Sequence, residues 1–245
     1  MQELSVKNFL SLTLLSGLLV ISACSDPKSS AEPGNDSINK IMPLGASRVE
    51  GARPYFESYR YELWKDLINN DWTFDFIGTR DDPASYPEVN GLEFDTDHEG
   101  RSGWTSGQIL DRVEDWLEVT GSPDIVLFSS PGGNDALDGL YTYSEILSNI
   151  NAIIDIIQED NPEVVILIEQ MAPGRSDFMT DEYSALFSQI QEDVATIAAE
   201  QTNSSSQVIA VDMYTGFADS MLADEIHYNE DGADFIANRY YEGVL

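Results

Sequence analysis

The chain has 245 residues, room for one sizeable domain and a leader but not for two comfortable domains. Hydrophobic residues at 42% and aromatics at 10% are ordinary for a protein with a real core, but 44 Asp and Glu against 12 Lys and Arg give a formal charge of −32. Such a surface repels nucleic acid and anionic lipid headgroups, which argues against both as primary ligands.

In chain order, Lys7 precedes the apolar run "FLSLTLLSGLLVISA", shorter than the ~20 residues a membrane-spanning helix needs. A charged start, a short apolar middle and the small residues of "ISAC" predict a secretory signal over residues 1–23. Its end resembles the lipobox of bacterial lipoproteins, which implies acylation of Cys24, the only cysteine, as the mature N-terminus. The alternative is an ordinary leader with a stray cysteine. A single cysteine also excludes an internal disulfide. The resemblance implies a bacterial envelope protein that meets the membrane through this anchor only, with Ser25 favouring the outer membrane. "SDPKSSAEPGNDS" follows, polar and without apolar periodicity, so residues 24–38 read as a flexible tether and 39–245 as the folded domain.

From Asn39 onward, strand-like and helix-like segments alternate. "KIMPLG" is a short apolar run closed by glycine, and in "PYFESYRYELWKDLINND" Tyr55, Tyr59, Leu63 and Leu67 recur every four residues as one helical face. "WTFDFIG" reads as a strand, "SGQILDRVEDWLEV" as a helix and "PDIVLFSS" as an apolar strand ending in small residues. Next come the helix "YSEILSNINAIIDIIQED", the strand "EVVILIEQ", the helix "DEYSALFSQIQEDVATIAAEQ", the strand "QVIAVDM" and the helix "DGADFIANRYYEGV". Most of these strands are too apolar to leave one face wet, which predicts a parallel sheet covered by helices on both sides. Residues 79–104 and 171–180 read as long irregular segments, a length usual in functional loops.

In such sheets sites lie beyond the carboxyl ends of the strands, which is where Ser47, "SSPGGND" and the loop after "VILIEQ" fall. A serine hydroxyl needs a base, usually histidine, oriented by a carboxylate. The chain has two histidines, His98 and His227. His227 stands three residues after Asp224 in "DEIHYNEDG", a spacing that lets a tight turn join carboxylate to ring; the alternative is a surface histidine in an acidic loop. Acyl transfer also needs donors aimed at an oxyanion, for which the Asn134 amide and the glycines of "HEGRSGWTSG" are available.

Four stretches, "IMPLGASRVEG", "DHEGRSGWTSGQI", "PDIVLFSSPGGND" and "DEIHYN", resemble the catalytic blocks of the SGNH (GDSL-type) hydrolases, and among them those of acetylxylan-esterase-like carbohydrate esterases. The resemblance covers residues 39–245. It implies a three-layer α/β/α sandwich with a flavodoxin-like five-stranded parallel sheet. It further implies Ser47 as nucleophile, His227 as base and Asp224 as the triad acid. The oxyanion donors would be the Ser47 and Gly103 N–H groups and the Asn134 amide. The implied reaction is removal of small acyl groups, acetyl foremost, from an acylated carbohydrate, with no metal or organic cofactor and a monomer favoured. Two positions depart from the family pattern. Ala46 stands where an aspartate usually braces the loops, and Gly133 stands where threonine is common, with Pro131 ahead of it. Two other functions stay open: a catalytically weakened glycan-binding lipoprotein, and a lipase or thioesterase of the same superfamily.

Other features have plainer readings. "DTDHEG" imitates the start of a calcium loop, but its twelfth position is Ser106 instead of a bidentate glutamate, so a solvated acidic loop is expected. His98 reads as a loop-packing residue. Trp104 is a candidate sugar-stacking residue, with core packing or loop anchoring as the plainer expectation. Arg48 would meet a substrate carboxylate or, as the favoured reading, pair with one of the many acids.

Overall fold

The structure is a computed structural model that describes residues 39–244. The expected signal segment, Cys24 and the tether lie outside the described residues. No helix among the described residues is long and apolar enough to cross a membrane.

Strand β1 (Lys40–Gly45) is buried along its whole length, and three parallel neighbours extend the sheet from it: β5 (Ile125–Phe128), β6 (Val165–Gln170) and β7 (Gln207–Asp212). The other edge of β1 is shared. The two-residue strand β2 (Asp75–Phe76) runs parallel to its start, and β4 (Asp97–Gly100) runs parallel to its end, pairing Leu44 with Glu99. The implied five-strand order is therefore present, but its outer strand is broken into β2 and β4. A short antiparallel strand, β3 (Arg80–Asp81), then pairs with β4.

Side-chain alternation along the strands builds two cores. Met42, Leu44, Val126, Phe128, Ile166 and Ile168 point to one face, against α6 (Tyr143–Asp160) and α7 (Asp181–Gln201). Ile41, Leu127 and Leu167 point to the other, against α2 (Arg60–Asn69) and α8 (Glu230–Val244). Both faces are buried, which is why these strands are continuously apolar.

Three local expectations differ from the structure. The helical face drawn through Tyr55 begins only at Arg60, because residues 52–57 close into their own turn: Ala52 and Phe56 pair, and the Arg53 guanidinium grips Glu57. Tyr55 is 83% exposed. The single helix expected over 106–119 is two, α3 (Ser106–Leu110) and α4 (Val113–Thr120), each buried on its own set of residues. The irregular segment 79–104 contains β3 and β4, so "DTDHEG" ends in a strand. Asp95 accepts from the Phe76 and Asp97 N–H groups. His98 is buried, and its Nδ1 accepts from the Gly100 N–H. Burial and the nearby arginines push the His98 pKa down to about 2, so it packs as a neutral ring.

Candidate active site

The chain leaves β1 upward on one side of the sheet, toward β2 and β4, and returns through β5 on the other. The β1–β5 border is thus the switch point where clefts form in open α/β sheets. Ser47 begins a four-residue helix, α1 (Ser47–Glu50), at the end of β1, and residues 129–134 follow β5. The two segments touch at Gly45, where a Cβ would lie 2.9 Å from the Ser129 carbonyl oxygen and 2.9 Å from Val49. Glycine is the residue that permits this approach.

Asp224, His227 and Ser47 form a hydrogen-bonded chain. His227 Nδ1 lies 2.7 Å from Asp224 Oδ2, and Nε2 lies 2.9 Å from Ser47 Oγ. Asp224 Oδ1 accepts from the Ile226 and His227 N–H groups, closing the turn that the three-residue spacing allows. Burial pushes the Asp224 carboxyl up, but these backbone donors and the His227 ring outweigh it and hold its pKa below the ordinary value. The ionised carboxylate favours the tautomer with the proton on Nδ1, which leaves Nε2 to accept the Ser47 hydroxyl proton.

Asn134 lies in the first turn of α5 (Gly133–Asp138), and its Nδ2 donates to the Trp104 carbonyl at 2.7 Å. One amide hydrogen thus fixes the side chain, and the second has no partner among the described residues. Gly103 occupies a turn at φ 77°, closed by the Trp104 N–H donating to the Arg101 carbonyl. The Gly103 N–H donates to no group among the described residues. The Trp104 ring is half-buried, 5.6 Å from Trp116 and under the Arg101 guanidinium, so it anchors its loop from inside. Ser47, Asn134 and Gly133 line a pocket of about 30 Å³ whose apolar walls include Leu137, Met171 and Phe187.

Arg48 forms no ion pair with an acid among the described residues. Its buried guanidinium donates to the carbonyls of Ile226, Ala172 and Pro173 and to Ser130 Oγ, and lies 4.7 Å over the Tyr228 ring. These carbonyls and the Ser130 hydroxyl take four of its five N–H donors, so the buried guanidinium is committed to the protein's own groups. Arg48 instead ties α1 to the loop carrying His227 and to the segment after β6.

Glu169 escaped the sequence reading, because an acid near a strand end has no signature before its burial is known. It is fully buried at the end of β6 and accepts from both the N–H and the hydroxyl of Ser130. Burial pushes its carboxyl up, although Tyr240, Arg48 and the Ser130 N–H favour its charge.

The GDSL-like lipase/acylhydrolase family model matches residues 70–235, a span that holds Gly103, Asn134, Asp224 and His227 and starts after Ser47. The chain belongs to this family. Among solved structures, a carbohydrate esterase family 3 protein from Talaromyces cellulolyticus is 27% identical, with a TM-score of 0.71 over 84% of this chain and 95% of that one. An acetyl esterase mutant with acetate ion is 26% identical, with a TM-score of 0.72 over the same shares, 84% and 95%. A family 3 carbohydrate esterase from Clostridium thermocellum is 29% identical, with a TM-score of 0.66 over 83% of this chain and 93% of that one. A sequence comparison with curated proteins finds no significant match. With this family and fold, the GDSL-type chain is a carboxylic ester hydrolase of the SGNH superfamily.

Proposed function

We propose that this esterase removes small acyl groups, acetyl foremost, from acylated carbohydrate. The observation that carries the reading is the Ser47–His227–Asp224 hydrogen-bonded chain at the switch point. Ser47 Oγ attacks the ester carbonyl while His227 Nε2 takes its proton, and Asp224 stabilises the imidazolium. The Ser47 and Gly103 N–H groups and the second Asn134 amide hydrogen hold the oxyanion. As the C–O bond breaks, His227 gives that proton to the departing sugar oxygen, which leaves as the free alcohol. Water then attacks the acyl carbon while giving a proton to His227, and His227 passes it to Ser47 Oγ as the acyl–serine bond breaks and the acid leaves.

The pocket beside Ser47 supports a short acyl chain. It is small, and its walls of Leu137, Met171 and Phe187 are apolar, which suits a short acyl chain. The acetyl esterase named above supports the same acyl group, and the two carbohydrate esterases support a sugar as the alcohol. Acylation of Cys24, holding the enzyme at the cell envelope, is part of the same proposal.

Hydrolysis of a chromogenic acetate ester tests the reading. Ser47→Ala is expected to lose at least about a thousandfold in kcat. The acetyl ester should exceed the octanoyl ester by at least about tenfold in kcat/KM. Equal rates for parent and Ser47→Ala would reject the triad. A preference for octanoyl would move the substrate to lipid.

A further inference from the structure

We propose that Phe56 is a positioning residue for the base, holding the His227 imidazole in its working plane from one face. This rests on the reading of His227 as the base of Ser47. The two rings are 3.9 Å apart between centroids and 13° from parallel.

The geometry explains why such a support matters. Asp224 and Ser47 hold the imidazole at its two nitrogens, Nδ1 and Nε2. These two hydrogen bonds define a line, and rocking of the ring about it is otherwise opposed only by its bond to Cβ. A flat aromatic surface against one face opposes that rocking. It also covers the face from water and lies where the imidazolium of acyl transfer gains from an aromatic quadrupole.

Phe56 is itself tied down from both sides. Within its turn, Ala52 N–H donates to the Phe56 carbonyl at 3.2 Å, and Arg53 Nε sits 2.9 and 2.8 Å from the two Glu57 oxygens. Across to the histidine loop, the Glu57 N–H donates to the carbonyl of Tyr228, the residue after His227, at 2.8 Å. The turn and the catalytic loop are thus stapled backbone to backbone beside the stacked pair. Sequence periodicity placed this segment on a helix and could not reveal the contact.

The test compares Phe56→Leu, Phe56→Tyr, Tyr55→Ala and His227→Ala on a chromogenic acetate ester. Leucine keeps an apolar side chain of similar bulk and removes the flat face, and tyrosine keeps the face. Expected for Phe56→Leu is a kcat about tenfold lower with KM within about twofold, because small misplacements of a catalytic group are costly. Phe56→Tyr should retain at least about half of the parent kcat, and the exposed neighbour Tyr55→Ala should match the parent. By proton NMR, the low-field Nδ1–H signal of the His227–Asp224 pair should persist in parent and Phe56→Tyr and broaden in Phe56→Leu. An inactive His227→Ala together with parent-like kcat and NMR signal in Phe56→Leu would overturn this proposal alone. Full activity in His227→Ala would instead remove the reading on which it rests.

Discussion

Ser130 sits at φ 47°, a left-handed conformation that a non-glycine residue keeps only when its surroundings hold it there. Glu169 does so by accepting its N–H at 2.7 Å and its hydroxyl at 3.0 Å, and Arg48 reaches the same hydroxyl from α1. The resemblance to the family implies a bracing aspartate at position 46, which Ala46 does not supply. A buried carboxylate from β6 reaches the same neighbourhood, since Ala46 and Ser130 line one pocket. Glu169→Ala is therefore expected to lower kcat on the acetate ester by about ten- to a hundredfold, through displacement of Asn134. Glu169→Gln, which keeps an acceptor for the Ser130 N–H, should lose less. Parent-like kcat in Glu169→Ala would show that Ser130 holds itself.

At the scale of elements, the edge made by β2, β3 and β4 is the least regular part of the sheet, and one cation organises it. Arg60, fully buried at the start of α2, donates to the carbonyls of Val49, Glu50 and Thr96 and pairs with Asp82 at 2.8 Å. It joins the end of α1 to the 79–96 segment. Arg60→Met should lower the unfolding free energy by about 3–5 kcal/mol, because Asp82 would remain buried without its counter-charge. Urea unfolding measures this, and a loss below about 1 kcal/mol would contradict the role.

Asp97, on β4, works the other way. Burial, then the neighbouring Asp95, Asp75 and Asp81, push its pKa up to about 7. A carboxyl raised in the folded state costs nothing below its unfolded pKa, and the cost grows as pH climbs to the folded value. Asp97→Asn should therefore stabilise at pH ~8 by on the order of 1 kcal/mol, discounted for partial exposure, and by little at pH ~4. Thermal melts at the two pH values check the sign, and an equal gain at both would contradict it.

Over the whole molecule, what the sequence disclosed follows from how local each signal is. The parallel sheet was legible because β1, β5 and β6 are apolar on both faces, and α6 and α7 carry long helical periods. His227 and Asp224 were legible because a three-residue turn joins them. β4 was not, since "DHEG" is polar in sequence and becomes interior through its pairing with β1 and the ion pair of Glu99 with Arg101. Arg48 was misread for the same reason: its partners are backbone carbonyls from residues 124 to 178 positions away, which leave no mark in composition. Phe56 and Glu169 belong to this class of long-range contact. The formal charge of −32 suits a neutral carbohydrate ester better than an anionic one, since a like-charged substrate would be repelled.

The most direct measurement is covalent capture of the nucleophile. The protein is treated with a fluorophosphonate and mapped by peptide mass spectrometry. Expected is one adduct per chain, on Ser47, absent in Ser47→Ala and formed at least about a hundredfold more slowly in His227→Ala. An adduct on another residue, or none from protein that still hydrolyses the acetate ester, would contradict the assignment of Ser47 and His227.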